Sequence, residues 1–278
     1  MYKIIAAFDG LKYSASTTQY ALKIAKTNKA HLVGVFLEDF TYHSYKITEL
    51  AGDEGFDMEK AEILKSKDYS VRQRSIQHFI DACTNAQISY TVHQDKNIAI
   101  QELLKESIFA DLLIIGKDET LIHYAENPPT NFIRSLLADV ACPVLVVPDK
   151  YQHFDKPVFL YDGSPSSIHA MRTFSYLFKP MIKTEVEVVT VVHANRQNAI
   201  PDSLLLKEFM KHHFAVSTYT RLTGNPETAI MQYLNNRTSN SLVILGAYKR
   251  SFISRWFKHS MADVLMEELK VPLFIAHI

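Results

Sequence analysis

The chain has 278 residues, 47% of them hydrophobic and 22% charged, which suits a folded protein of two domains and excludes a disordered one. Thirty basic residues balance thirty acidic ones, so no overall field draws the chain to nucleic acid or to an anionic membrane. Cys83 and Cys142 stand among apolar neighbours with no metal-ligand spacing, and are expected to be buried free thiols of a reducing compartment.

In chain order, short apolar runs alternate with helical patterns. Strand 3–8 precedes helix 13–28, then strand 31–37, helix 58–86, strand 88–93, helix 98–108, strand 111–116, helix 132–141 and strand 143–147. The series then restarts with strand 157–161, helix 166–179, strand 185–193, helix 202–213, strand 215–221, helix 226–238, strand 241–246, helix 261–269 and strand 271–276. The opening run MYKIIAAFDG is too short for a signal peptide, and no stretch approaches the ~20 apolar residues of a membrane span. A cytoplasmic place is expected.

The restart is a repeat. KIIAAFDG (3–10) returns as PVFLYDGS (157–164), ADLLIIGK (110–117) as NSLVILGA (240–247), and CPVLVVP (142–148) as VPLFIAH (271–277), in the same order. The stripe Ile133, Leu136, Leu137, Val140 recurs with identical spacing as Ala262, Leu265, Met266, Leu269. This pattern predicts a tandem duplication, with domains at 1–148 and 157–278 and a short linker at 149–156. Runs apolar on both faces, such as Leu112–Ile115 and Leu242–Leu245, predict parallel strands covered by helices on each side. The first copy carries an extra polar stretch, 41–67, read as a solvated loop leading into a long helix whose buried stripe is Ile76, Phe79, Ile80 and Cys83, with a functional lid bearing Phe40, Tyr42 and Tyr45 as the alternative.

With an Asp-Gly ending the first strand of each copy (Asp9-Gly10, Asp162-Gly163-Ser164) and a strand ending in Gly before a loop, a helix and a last strand, the chain resembles a tandem universal stress protein. The resemblance covers both copies. It implies two Rossmann-like, adenine nucleotide alpha hydrolase-like domains, each a five-stranded parallel sheet of order 3-2-1-4-5. It also implies pairing of the domains through the last strands, 144–147 and 273–276, as an intramolecular pseudo-dimer. In the nucleotide-binding branch of that family a loop G-x2-G-x9-G-[ST] holds the phosphates at the carboxyl ends of strands one and four.

Glycines in such a loop let backbone N–H groups approach phosphate oxygens, and the helix N-terminus adds positive potential. The second copy keeps Gly246 and Ser260 but has Lys249 and His259 at the other glycine positions. Together with Arg250 these make a cationic set that would grip an anion by charge, beside Asp162, Gly163 and Ser164. The first copy keeps Gly116 and places Glu119 at the second glycine. Allowing one extra residue brings Thr130 and Asn131 onto the last two positions. With Asp9 and Gly10 these form a degenerate site from which the usual ATP pose is excluded. A helix cap alone explains Ser260 and Asn131, and a turn hydrogen bond alone explains Asp9 and Asp162; the ligand reading stands beside both.

His212 and His213 are adjacent on a helix and point to different faces, and no metal site is expected. The functional expectation is stress-response binding without turnover. Its ligand would be a small anion or nucleotide, ATP or AMP in the second domain only, with no required cofactor. Partner proteins would recognise the paired surface, with a further homodimer as an option and no nucleic-acid or membrane partner. The alternative is an ATP- or AMP-dependent enzyme, such as a slow ATPase, using the second cleft.

Overall fold

Apolar strands that alternate with amphipathic helices can bury both sheet faces only between two helical layers, and the chain builds this arrangement twice. The computed structural model describes residues 2–38, 43–45, 50–52, 55–95, 97–122, 126–180, 185–192, 200–236, 240–246 and 261–276. The first half contains β1 (Lys3–Asp9), α1 (Ala15–Asn28), β2 (His31–Leu37), β3 (Ala51–Gly52), β4 (Gly55–Phe56), α2 (Met58–Ala86), β5 (Tyr90–Asp95), α3 (Ala99–Ser107), β6 (Leu112–Gly116), α4 (Asn131–Asp139) and β7 (Val144–Val147). The second contains β8 (Lys156–Leu160), α5 (Pro165–Leu177), β9 (Val186–Val192), α6 (Ser203–His213), β10 (Ser217–Thr223), α7 (Pro226–Asn235), β11 (Ser241–Gly246), α8 (Met261–Glu268) and β12 (Leu273–Ala276).

One ten-stranded sheet runs β10-β9-β8-β11-β12-β7-β6-β1-β2-β5. Read from its outer edge toward the centre, each half has the strand order 3-2-1-4-5, parallel throughout. The halves join where β12 meets β7 antiparallel, with Phe274 opposite Leu145 and Ile275 opposite Val144. The expected pairing of last strands is thus the seam of the sheet.

Each face of the sheet carries one core that crosses the seam. On one face α3, α4, α7 and α8 bury Leu103, Leu136, Ile230 and Leu265. On the other α1, α2, α5 and α6 bury Tyr20, Phe79, Phe174 and Met210. Gly34 of β2 belongs here, because a Cβ on it would lie 2.6 Å from the Phe79 ring. Both repeated stripes on α4 and α8 are buried, as their spacing predicts. The segment between β7 and β8 is clamped: the Tyr20 hydroxyl meets the Gln152 backbone, Ser16 Oγ donates to Pro148 O at 2.6 Å, and Phe154 lies between Tyr20 and Phe178.

The polar stretch before α2 differs from its expectation as a solvated loop. Tyr45, Leu50 and Ala61 form a small buried cluster, and Ser44 donates from its backbone and hydroxyl to the buried Asp68. In the α2 stripe, Ile76, Phe79 and Cys83 are buried, whereas Ile80 is only partly covered. Both cysteines are buried and unpaired, and burial pushes each thiol up to about 12. Thiols that stay protonated are poor nucleophiles, so neither is a reactive centre.

Candidate ligand clefts at the two strand-order reversals

In a doubly wound sheet, the crevice for a ligand opens at the carboxyl ends of strands whose neighbours are joined on opposite sides. Here β1 lies between β2 and β6, and β8 between β9 and β11. Asp9 ends the first of these strands and Asp162 follows the second. Each makes the same local turn. Asp9 Oδ1 accepts from Leu11 N at 2.8 Å, and Asp162 Oδ1 accepts from Ser164 N at 2.9 Å. The chain then enters a capped helix: Ser14 accepts from Thr17 N at the start of α1, and Ser164 from Ser167 N at the start of α5. Gly163 has φ of 78°, a value glycine adopts without the Cβ penalty, and Pro165 opens α5 as its first residue.

Around the first reversal the chain fills its own crevice. After β6 a tight turn, with Glu119 N donating to Gly116 O at 3.3 Å, folds Glu119 back. Its side chain is buried and its Oε1 lies 3.5 Å from where a Cβ on Gly116 would be, level with Thr17 Oγ1. Burial, then the neighbouring charge of Asp9, holds the Glu119 carboxyl well above the usual carboxylate range; the Asp9 backbone N–H and Lys12 pull the other way, and Asp118 adds to the rise. Thr130 fastens the turn, donating to Glu119 O at 2.5 Å while capping α4 through Ile133 N at 3.2 Å. Lys12 Nζ reaches Ile122 O at 3.5 Å.

A second side chain covers the other flank. Arg72 of α2 lies across Gly10, so a Cβ there would be 3.2 Å from Arg72 Cγ and Nη1. Its Nη1 donates to Leu37 O at 3.3 Å, and its Nε faces Glu38 Oε1 at 3.8 Å. Sequence reasoning missed Arg72. The signal was present: Asp68, Arg72, Ser75, Ile76 and Phe79 share one buried stripe, and a guanidinium in register with core residues must find partners inside.

Equal loop lengths correct the sequence register in the first half. Since α4 begins at Asn131 and α8 at Met261, the residue before each helix stands fourteen after Gly116 and Gly246 respectively. No extra residue is needed, and Pro129 and Thr130 occupy the last two loop positions. Asn131 is therefore not the helix cap. It is exposed on the first turn, where its backbone and side chain both donate to Glu126, and Thr130 supplies the capping hydroxyl.

The second reversal is built differently. Asp162 is half-buried, whereas Asp9 is only 1% exposed. Gly246 has α5 directly on top of it: a Cβ would lie 2.3 Å from the Ser166 carbonyl carbon and 2.7 Å from Ser167 N. Its lack of a side chain lets helix and strand touch, which is a packing demand before it is a ligand demand. Lys249, Arg250, His259 and Ser260 lie outside the described residues. Among the described residues no cluster of His, Cys, Asp or Glu could hold a metal ion, and no helix is long and apolar enough to cross a membrane.

No family model matches the chain. Across 98% of its length it is 20% identical to a universal stress protein, Slr1230, of Synechocystis, matching 99% of that protein. Among solved structures, a universal stress protein from Archaeoglobus fulgidus shares the fold with a TM-score of 0.71 at 14% identity, covering 99% of this chain and 96% of the other. A second, a universal stress protein from Pseudomonas aeruginosa, has a TM-score of 0.60 at 14% identity, covering 100% and 93%. Over nearly its whole length the chain is thus similar to universal stress proteins, and it shares the fold of those whose structures are solved.

Proposed function

We propose that the chain acts by binding, without turnover, and that its ligand is a small anion or a nucleotide seated at the second reversal. The observation that carries this reading is the asymmetry of the two aspartates: the crevice at Asp9 is occupied by Glu119 and Arg72, while Asp162 keeps an exposed flank beside Gly163 and the N-terminus of α5. Ser164, the amide end of α5 and the basic residues Lys249, Arg250 and His259, with Ser260, supply donors and positive charge suited to phosphate oxygens. Gly246 serves the same site indirectly by letting α5 approach. In this reading 1–148 and 157–278 are the two units, 149–156 joins them, and the first cleft takes no ATP. The protein works in the cytoplasm, and its paired outer surface meets protein partners or a second copy.

The test is calorimetric titration of the full chain with ATP and AMP, beside a phosphate-release assay. One saturable site that Asp162→Ala weakens by at least about tenfold, with no phosphate released, supports the reading. A melting temperature unmoved at millimolar nucleotide, or turnover abolished by Asp162→Ala, overturns it.

A further inference from the structure

A cavity of about 790 Å³ opens in the second half at the end of the sheet away from Asp162. Its walls come from the start of β8 (Lys156, Val158), from β9 and β10 (Glu187, Thr220) and from the end of α7 (Tyr233). The volume falls within the range of small-molecule sites, and the floor of Val158 and Leu234 is apolar. Glu187 projects from the sheet into this wall, accepting from Thr220 Oγ1 at 2.5 Å and from the Tyr233 hydroxyl. Of the described lining residues Asp155, Glu185 and Glu187 are acidic and Lys156 alone is basic.

The two halves show what this place accepts. Aligning Asp9 with Asp162 superposes Ile5 on Val158, and the strand registers then set Glu187 against Val33 and Thr220 against His93. In the first half the corresponding place holds a carboxylate gripped by the chain's own cation. Glu106 of α3 receives Lys3 Nζ at 3.2 Å and His93 Nδ1 at 2.6 Å, and Asp111 accepts from Lys3 N. The second half moves the carboxylate onto β9 and replaces His93 and Glu106 with hydroxyl-bearing Thr220 and Tyr233, and the space is open. The acidic groups are spread along the wall rather than gathered, since no described set of them could share one metal ion. Separated carboxylates over an apolar floor match a flexible chain bearing several ammonium groups.

We propose that this cavity is a second binding site, independent of the nucleotide cleft, for a small aliphatic polyamine, with Glu187 as the principal anchor and Glu185 and Asp155 at the rim.

Titration of the full chain with spermidine by calorimetry tests it. The expected result is one saturable site, weakened about tenfold by Glu187→Gln and two- to threefold by Glu185→Gln, and weakened by added salt. A control, Glu62→Gln on the exposed face of α2, leaves it unchanged. If Glu187→Gln folds poorly, Tyr233→Phe keeps the ring, removes the hydroxyl that orients the anchor, and carries the same direction of effect. No saturable binding at millimolar spermidine overturns the proposal. So does binding that Glu187→Gln or Tyr233→Phe leaves intact, or that Glu62→Gln weakens as much, since it is then diffuse surface attraction.

Discussion

The two strand-order reversals began as the same piece of structure and now differ in what fills them. Both keep an aspartate turn, a hydroxyl cap and a glycine at the end of the fourth strand. In the first half the neighbours of Gly116 are the side chains of Glu119 and Thr17 at 3.5 Å; in the second the neighbour of Gly246 is the backbone of α5 at 2.3 Å. A preserved glycine therefore does not mean a preserved job. The first half closes its crevice with side chains that substitution can remove, whereas the second brings its helix into contact with the strand and leaves the aspartate reachable.

The sharpest way to break this comparison is a methyl group at each glycine. Gly246→Ala forces the Cβ into the Ser166 carbonyl, where neither element can yield without separating, and is expected to cost about 3 kcal/mol or more. Gly116→Ala meets only side chains at ordinary contact distance and should cost under about 1 kcal/mol. Urea unfolding of both variants reads the difference, and equal costs would mean the two helices approach their strands alike.

The caps provide a smaller contrast. Thr130→Ala removes both the α4 cap and the bond that fastens Glu119, so a loss of about 2 kcal/mol is expected; Ser164→Ala removes a partly buried cap alone and should cost about 1 kcal/mol. Thermal melts at one pH compare them.

Titration sharpens the comparison further. The folded Glu119 carboxyl binds its proton more tightly than the unfolded chain does, at an ordinary value of 4.5. Its contribution is complete below that value and is lost as pH rises through the folded value, so stability declines with rising pH on the alkaline side of 4.5. Glu119→Gln removes its share of this slope and should raise stability at neutral pH, while Asp118, pushed up to about 7 by burial and Asp149, keeps its own share. A Glu119→Gln profile that runs parallel to that of the wild type between pH 5 and pH 8 would show that Glu119 does not hold the first crevice as described.

The smallest effect is expected at the seam. Arg134 of α4 and Asp263 of α8 face each other across it at 3.3 Å, with Arg134 half exposed, so Arg134→Gln should cost no more than about 1 kcal/mol. A larger loss, read by urea unfolding, would make that pair a main tie between the halves in place of the buried β7–β12 contact.

Much of this was legible in the chain. The repeated runs and stripes predicted the elements to within a few residues, because strands covered on both faces must be apolar throughout and their helices must repeat an apolar stripe. Sequence comparison also noticed Glu119 at a glycine position. It could not show that Glu119 folds inward beside Asp9, because that contact joins residues 110 apart in the chain and depends on how tightly the turn after β6 closes. Nor could it find the cavity at Glu187, since acidic residues beside a run of valines show no enclosure until β10 and α7 are placed around them.

The residues alone thus determined the duplication, the alternation of strands and helices, and the turns at Asp9 and Asp162, since each depends on neighbours within a few positions of itself. Only the folded arrangement decided that one crevice is occupied by Glu119 and Arg72, that Gly246 serves helix packing, and that a carboxylate-lined cavity stands at the other end of the second half. The reason is physical: burial and charge pairing act through space between segments far apart in the chain, and the energy of a buried carboxyl is set by those partners and not by its place in the sequence.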